Sequence, residues 1–183
     1  ALMVVQAVLA ALFHKQRFGE GQQIEVPMFE TMVSFMMVEH LWGQTFDPPI
    51  GKAGYTRLMA KHRRPYKTLD HQYLAVLPYW DNHWKTFCEI AQRPELAKDE
   101  RFIDMANRLK NIDESYKITS EIIASRSRKD WVELLDDTKI PNMVVNSLDD
   151  LIDEPQLVEY CFWQEHQHPT EGTVRMASPP INF

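Results

Sequence analysis

The first thirteen residues, Ala1-Leu2-Met3-Val4-Val5-Gln6-Ala7-Val8-Leu9-Ala10-Ala11-Leu12-Phe13, are apolar except for Gln6. No other stretch constrains the fold as much, because a helix that is apolar all round needs cover on more than one face. Thirteen helical residues span only about 20 Å, short of the ~30 Å hydrocarbon core of a bilayer. The charges of His14-Lys15-Gln16-Arg17 follow the run, whereas a signal peptide carries its charge ahead of the apolar stretch. No Ser, Thr, Asp or Asn stands before the run as an N-cap. These features predict a buried helix entered part-way and a chain that is a piece of a larger protein. Lys15 and Arg17 suit the C-terminal end of such a helix, and Gly19 suits the left-handed position that closes it.

Beyond Gly19 the periodicity changes. Gln23-Ile24-Glu25-Val26 alternates as a short strand does, and Pro27 opens a helix whose apolar residues include Phe29, Met32, Val33, Met36, Met37 and Trp42. Residues 45–64 are broken by Pro48, Pro49, Gly51 and Gly54, and end in the basic cluster Lys61-His62-Arg63-Arg64. A hairpin is expected from Pro65–Thr68 through Asp70-His71 to Tyr73–Leu77. Trp80, Trp84, Phe87, Cys88 and Ala91 lie at helical spacing, and Pro94 starts a short helix. Helical spacing runs on through 104–125, with Thr119 interrupting its stripe. Ser127…Asp130 and Ser147…Asp150 read as capping boxes, Ile140–Val145 as a strand, and Cys161–Met176 as two strands joined at Glu171-Gly172.

Composition excludes several functions. The net charge of −6 over 183 residues opposes bulk binding of nucleic acid, which takes a surplus of Lys and Arg. Cys88 and Cys161 are the only cysteines, too few for a disulfide framework, so a reducing, cytoplasmic setting is expected. No stretch predicts membrane insertion.

Candidate sites are few. His166 and His168 share a strand face, but without a third ligand at a helpful spacing no metal is expected. Trp80 and Trp84 can stack on a base, yet their spacing favours core packing. Cys88 lies on the same stripe, as a buried inert thiol would. Met28, Met32, Met36 and Met37 are core-like by position. The acids of 149–154 suit a solvated helix face. The best anion-binding candidate is the cluster Lys61-His62-Arg63-Arg64, with Arg57 shortly before it, because adjacent cations repel unless something offsets them; a solvated loop is the alternative reading. Residue types alone give an α/β chain with a helical subdomain and no catalytic group.

A resemblance goes further. Ala10-Ala11-Leu12-Phe13-His14-Lys15-Gln16-Arg17-Phe18-Gly19-Glu20-Gly21-Gln22-Gln23-Ile24-Glu25-Val26 resembles the family III (carnitine-dehydratase-like) CoA-transferases, in which a helix with a basic end runs through G-x-G-Q into a strand. Arg64-Pro65-Tyr66-Lys67-Thr68-Leu69-Asp70 is similar to the family hairpin P-Y-x-T-x-D-G. Asn82-His83-Trp84 and Pro94-Glu95-Leu96-Ala97-Lys98-Asp99-Glu100-Arg101-Phe102 are similar to its W…P-E-L…D-P-R-F stretch. Asp130-Trp131, Ile140-Pro141 and His168-Pro169…Gly172…Pro179 follow in order. Three departures stand out: His71 replaces the hairpin glycine, Glu100 replaces a proline, and Arg57–Arg64 stands where oxalate-specific members carry a glycine run.

The resemblance implies an α/β fold, with part of a Rossmann-like large domain and a small α+β domain carrying a short antiparallel sheet. It implies a homodimer of interlinked rings. On this pattern residues 1–44 belong to the large domain, 45–64 form a crossing linker, 65–150 the small domain, and 151–183 return to the large domain. The implied activity is acyl-CoA:carboxylate CoA-transfer through an aspartyl-CoA thioester. The partners would be acyl-CoA and a carboxylic acid, with no metal, no nucleic acid and no membrane. The family's nucleophilic aspartate falls upstream of Ala1, so no catalytic residue is assigned within the chain, and these residues alone are expected to be inactive. Met28 matches a methionine lining the CoA pocket in some members. An α-methylacyl-CoA racemase shares the fold and is the alternative. Its glutamate after the Tyr-Leu-Ala-Val strand is lacking here, and Asp81 is offset by about one place. A structural piece without turnover is the third reading.

Overall fold

Leu2–Phe18 forms helix α1 from residues with high helical propensity. Gly19 ends it at φ 77°, donating its N–H to the Lys15 carbonyl at 2.8 Å. The computed structural model describes residues 1–181, and the chain divides into two compact units at Ala60/Lys61.

In the first unit α1 is followed by residues 20–27 without regular structure. The expected strand at 23–26 does not form. A strand needs a neighbour to take its N–H and C=O groups, and none of the described sheets includes this segment. Pro27 then caps helix α2, Met28–His40. Neither α1 nor α2 holds a buried residue, which corrects the buried-helix reading of 1–13. Met28, Met32 and Met36 are exposed rather than core. The faces are apolar, but no other described residue buries them. Residues 40–55 close on themselves. The Gly54 N–H reaches the His40 carbonyl at 2.7 Å and the Ile50 N–H the Gly43 carbonyl at 3.0 Å, while Trp42 stacks on Tyr55 with centroids 4.8 Å apart. Gly43 is required by packing: a Cβ there would lie 2.5 Å from the Gly51 Cα. Helix α3, Thr56–Met59, ends this unit.

The second unit has a closed core. Strands β1 (Tyr66–Lys67), β2 (Tyr73–Val76) and β3 (Asn142–Val144) make an antiparallel sheet in the order β1-β2-β3. Tyr66 pairs with Leu74, and Leu74 with Val144. Helices α4 (Asp81–Ile90), α5 (Met105–Lys110), α6 (Ile112–Ile123) and α7 (Arg128–Asp136) surround it. A 3-10 turn at Pro94–Lys98 follows α4, as Pro94 predicts. The expected stripe delivers Trp84, Phe87 and Cys88 to the core beside Leu74, Val76, Ile123, Trp131 and Leu135. Trp80 does not join them; it is exposed and precedes the helix as its N-cap. Both buried indoles are satisfied, Trp84 by the Leu96 carbonyl at 3.4 Å and Trp131 by the Ile123 carbonyl at 2.8 Å. The helical spacing over 104–125 resolves into two helices, parted at Asn111 with φ −112° and ψ 33°.

Both serine caps form. The Asp150 N–H reaches Ser147 Oγ at 3.2 Å and the Ser147 N–H reaches the Asp150 carboxylate at 2.8 Å, a reciprocal box. At Ser127 the Asp130 N–H reaches Oγ at 3.2 Å, while that hydroxyl donates to the Asp130 carboxylate at 2.6 Å. Helix α8 (Pro155–Glu159) leads into a separate antiparallel ribbon of β4 (Trp163–His168) and β5 (Gly172–Ala177), with His168 opposite Gly172 at its turn.

Candidate functional site

The hairpin of the second unit is built from its turn outward. The Thr68 hydroxyl donates to the Asp70 carboxylate at 2.5 Å, and the His71 N–H to the Thr68 carbonyl at 3.0 Å. The Arg128 backbone N–H also reaches the Asp70 carboxylate at 3.1 Å. These bonds, Thr68 first, hold the Asp70 carboxyl below the usual carboxylate range. His71 takes φ 63°, in the left-handed region that favours glycine.

The basic segment enters this hairpin. His62 is bound to Asp113 of α6, which accepts both the His62 backbone N–H at 3.0 Å and a contact from the ring Nδ1 at 2.9 Å. Asp113 therefore anchors the middle of the basic segment to α6. Its carboxyl lies below its usual range, chiefly because of the His62 backbone N–H. Lys61, Arg63 and Arg64 are exposed and enter none of the ion pairs among the described residues. At the strand start, burial pushes the Tyr66 phenol up, while the Arg63 charge and a Thr119 hydrogen bond oppose that shift.

Met28 and Arg57 belong to the first unit. Met28 is 85 % exposed and begins α2, lining an apolar groove of about 690 Å³ with Leu2, Val4, Val26, Met32 and Phe35. Arg57 is buried on α3. Of the candidates, the structure gathers Lys61, Arg63 and Arg64 around the His62 anchor. Asp113 escaped sequence reasoning; its only local signal is an acid pair, Asp113-Glu114, opening a helix.

The remaining candidates have bland settings. Burial pushes the Cys88 thiol up to about 12. His166 and His168 are exposed on β4, and His168 Nδ1 lies 3.3 Å from the Glu171 N–H. Among the described residues no group of three or more His, Cys, Asp or Glu side chains is placed to hold a metal. Nor is any helix long and apolar enough to cross a membrane.

The sequence profile of CoA-transferase family III matches residues 1–183. The chain belongs to this family. It is 28 % identical to the probable fatty acyl-CoA transferase Rv3272 of Mycobacterium tuberculosis, over 86 % of this chain and 42 % of that protein. It is 27 % identical to the succinyl-CoA:mesaconate CoA-transferase of Haloarcula hispanica, over 100 % of this chain and 46 % of that one. The succinyl-CoA:glutarate CoA-transferase of Homo sapiens matches at 25 %, over 97 % of this chain and 40 % of its own length. The chain thus spans less than half the length of these relatives.

Solved structures share the fold. An orthorhombic crystal structure of Rv3272 superposes with a TM-score of 0.70 at 24 % identity, covering 99 % of this chain and 47 % of that one. A CAIB/BAIF family protein from Brucella suis gives 0.71 at 22 % identity, covering 100 % of this chain and 47 % of its own. The mixed helical architecture with small antiparallel sheets is therefore shared with these two proteins.

Proposed function

We propose that this chain is part of an acyl-CoA:carboxylate CoA-transferase whose nucleophilic aspartate precedes Ala1. The observation that carries the reading is the family III match over all 183 residues, joined by relatives named as CoA-transferases in archaea, bacteria and animals. In the proposed reaction the aspartate attacks the acyl-CoA carbonyl and expels CoA thiolate, leaving a mixed anhydride. The thiolate then attacks the aspartyl carbonyl and releases the donor acid. The acceptor acid repeats the sequence in reverse, carries away the CoA and regenerates the aspartate. Such chemistry needs a poorly solvated carboxylate and oriented donors for the oxyanion.

Three further parts belong to this reading. The α1 and α2 helices form part of a Rossmann-like large domain, with 45–64 as linker, 65–150 as small domain and 151–183 as the return. Two copies interlink as a homodimer. Met28 lines the CoA pocket, and Arg57, Lys61, Arg63 and Arg64 serve substrate anions. The exposed apolar surface of α1 and α2 supports the first part, since contiguous apolar faces of this kind are normally covered. A racemase is not favoured: Asp81, the nearest acid after β2, is paired with Arg108 rather than free as a base.

The test uses the full-length protein incubated with succinyl-CoA and quenched before mass spectrometry. The expected result is a mass gain of one CoA less one water, mapped to a peptide upstream of Ala1 and discharged by a carboxylic acid. Absence of the adduct across a panel of acyl-CoA donors would overturn the proposal.

A further inference from the structure

The basic segment is fastened to one helix at two points. His62 is held by Asp113 through its backbone N–H at 3.0 Å and its ring Nδ1 at 2.9 Å. Four residues on, Tyr66 is buried where β1 packs against the same helix. The segment therefore runs as a strap along α6. That helix is a firm support, with Ser115, Tyr116, Thr119, Ile122 and Ile123 buried. Within the strap, Pro65 fixes its own φ and restricts Arg64 to extended conformations.

The fastening leaves the cations unspent. Asp113 engages His62 rather than a guanidinium, and its charge also faces Lys61. Lys61, Arg63 and Arg64 remain exposed and outside the ion pairs of the described residues. Three cations held in place bind an oxyanion more tightly than the same cations on a mobile loop, because less ordering remains for binding to impose. The planar fork of each arginine matches a carboxylate or a phosphate.

We propose that Asp113 is a positioning residue, which tethers His62 to α6 and so presents Lys61, Arg63 and Arg64 as a preformed strap for an oxyanion of the substrate. This rests on the CoA-transferase reading, with the oxyanion supplied by a phosphate of CoA or by the carboxylate of the free acid.

The test takes the full-length protein with Asp113→Ala, Asp113→Asn, Glu114→Ala and the exposed pair Arg63→Gln/Arg64→Gln. Asp113→Ala and the arginine pair are expected to raise one KM about ten-fold with kcat within about two-fold, the pattern of lost binding rather than lost chemistry. A rise in the KM for acyl-CoA identifies the phosphate; a rise in the KM for the acid identifies the carboxylate. Asp113→Asn keeps an acceptor for the His62 N–H and is expected to recover most of the loss. Glu114→Ala removes the adjacent acid without touching His62 and is expected to leave both constants alone.

A second measurement does not require turnover. Inorganic pyrophosphate or succinate is titrated against hydrogen exchange of the 61–64 amides, with Asp113→Ala expected to weaken protection about ten-fold. Asp113-dependent protection in a protein inactive as a CoA-transferase would sink the enzyme reading and leave the strap standing. An active enzyme with no protection and both KM values unchanged in Asp113→Ala and in the arginine pair would overturn the strap. So would equal losses in Asp113→Ala and Glu114→Ala, or a loss confined to kcat.

Discussion

Replacing Arg108 by alanine tests how the second unit is held together. The Arg108 side chain is 4 % exposed, whereas its partner Asp81 is 60 % exposed. The guanidinium donates to the Phe102 carbonyl at 3.0 Å, the Tyr79 carbonyl at 3.4 Å and the Asp81 carboxylate at 2.5 Å. It also lies 5.9 Å from the ring centroid of Trp84. The pair is therefore unequal. Truncating the buried member abandons two carbonyls and opens space beside Trp84, at a cost of about 3 kcal/mol. Truncating Asp81 removes an ion pair that water already screens, together with an acid at the start of α4, for about 1 kcal/mol. Arg108→Lys cannot span three acceptors in a fixed fork and should restore less than half of the loss. Urea unfolding followed by tryptophan fluorescence measures all three, since Trp84 and Trp131 lie in the core of this unit. Equal losses for Arg108→Ala and Asp81→Ala would refute the argument, because the ion pair, and not the carbonyl bonds, would then carry the energy.

Other perturbations are read more quickly. His71 at φ 63° pays a left-handed penalty that glycine escapes, so His71→Gly should raise the urea midpoint by an equivalent of about 0.5 kcal/mol after the unfolded-chain entropy of glycine is counted. Gly43→Ala would bring a Cβ within 2.5 Å of the Gly51 Cα; a cost of about 2 kcal/mol should appear as lost hydrogen-exchange protection at the Ile50 and Gly54 amides. The Arg101 side chain holds Asp99 at about 2, below its ordinary 3.8. A depressed carboxylate stabilises the fold above its unfolded pKa and ceases to do so as pH falls through its folded one, so the stability gap to Asp99→Asn should be present at about pH 5 and vanish near pH 2. Cys161 is exposed and Cys88 buried, with the Cys88 thiol pushed up to about 12; a thiol reagent at about pH 8 should modify Cys161 in the native chain and reach Cys88 only after unfolding.

What the sequence made legible follows the range of each interaction. The Ser127 cap and the Trp84, Phe87, Cys88 stripe are decided within one or two helical turns, and both appear as expected. The hairpin was legible because its turn chemistry spans only Thr68 to Gln72. Residues 23–26 alternate without forming a strand, because alternation states a face without supplying a neighbour. The helical spacing over 104–125 is realised as two helices, and it does not mark the break at Asn111, whose backbone leaves the helical region. Of the candidate site, the cations were visible in sequence and their anchor was not. His62 and Asp113 are separated by 51 positions, and nothing local in a single sequence couples them.

The two units differ in a way that bears on the proposed function. In the second, each large apolar group of the core has neighbours and each buried indole has an acceptor, so pattern and burial agree there, although residues 151–181 hold no buried side chain. In the first, only Gly43 and Arg57 are buried among the described residues, although α1 is apolar round its circumference. A sequence that places Leu2, Val5, Leu9, Leu12 and Phe13 in water gives up burial worth roughly 1.5–3 kcal/mol for each large side chain. Such a sequence fits a helix covered on several faces, as a layer of a domain built mostly from other parts of a longer enzyme would be. The match to less than half the length of its relatives and the uncovered helices are therefore one observation seen twice. On the proposed reading, the strap on α6 would be prepared by folding of the core around α6, whereas the Met28 groove would take its final form only once further residues of the parent protein cover α1 and α2.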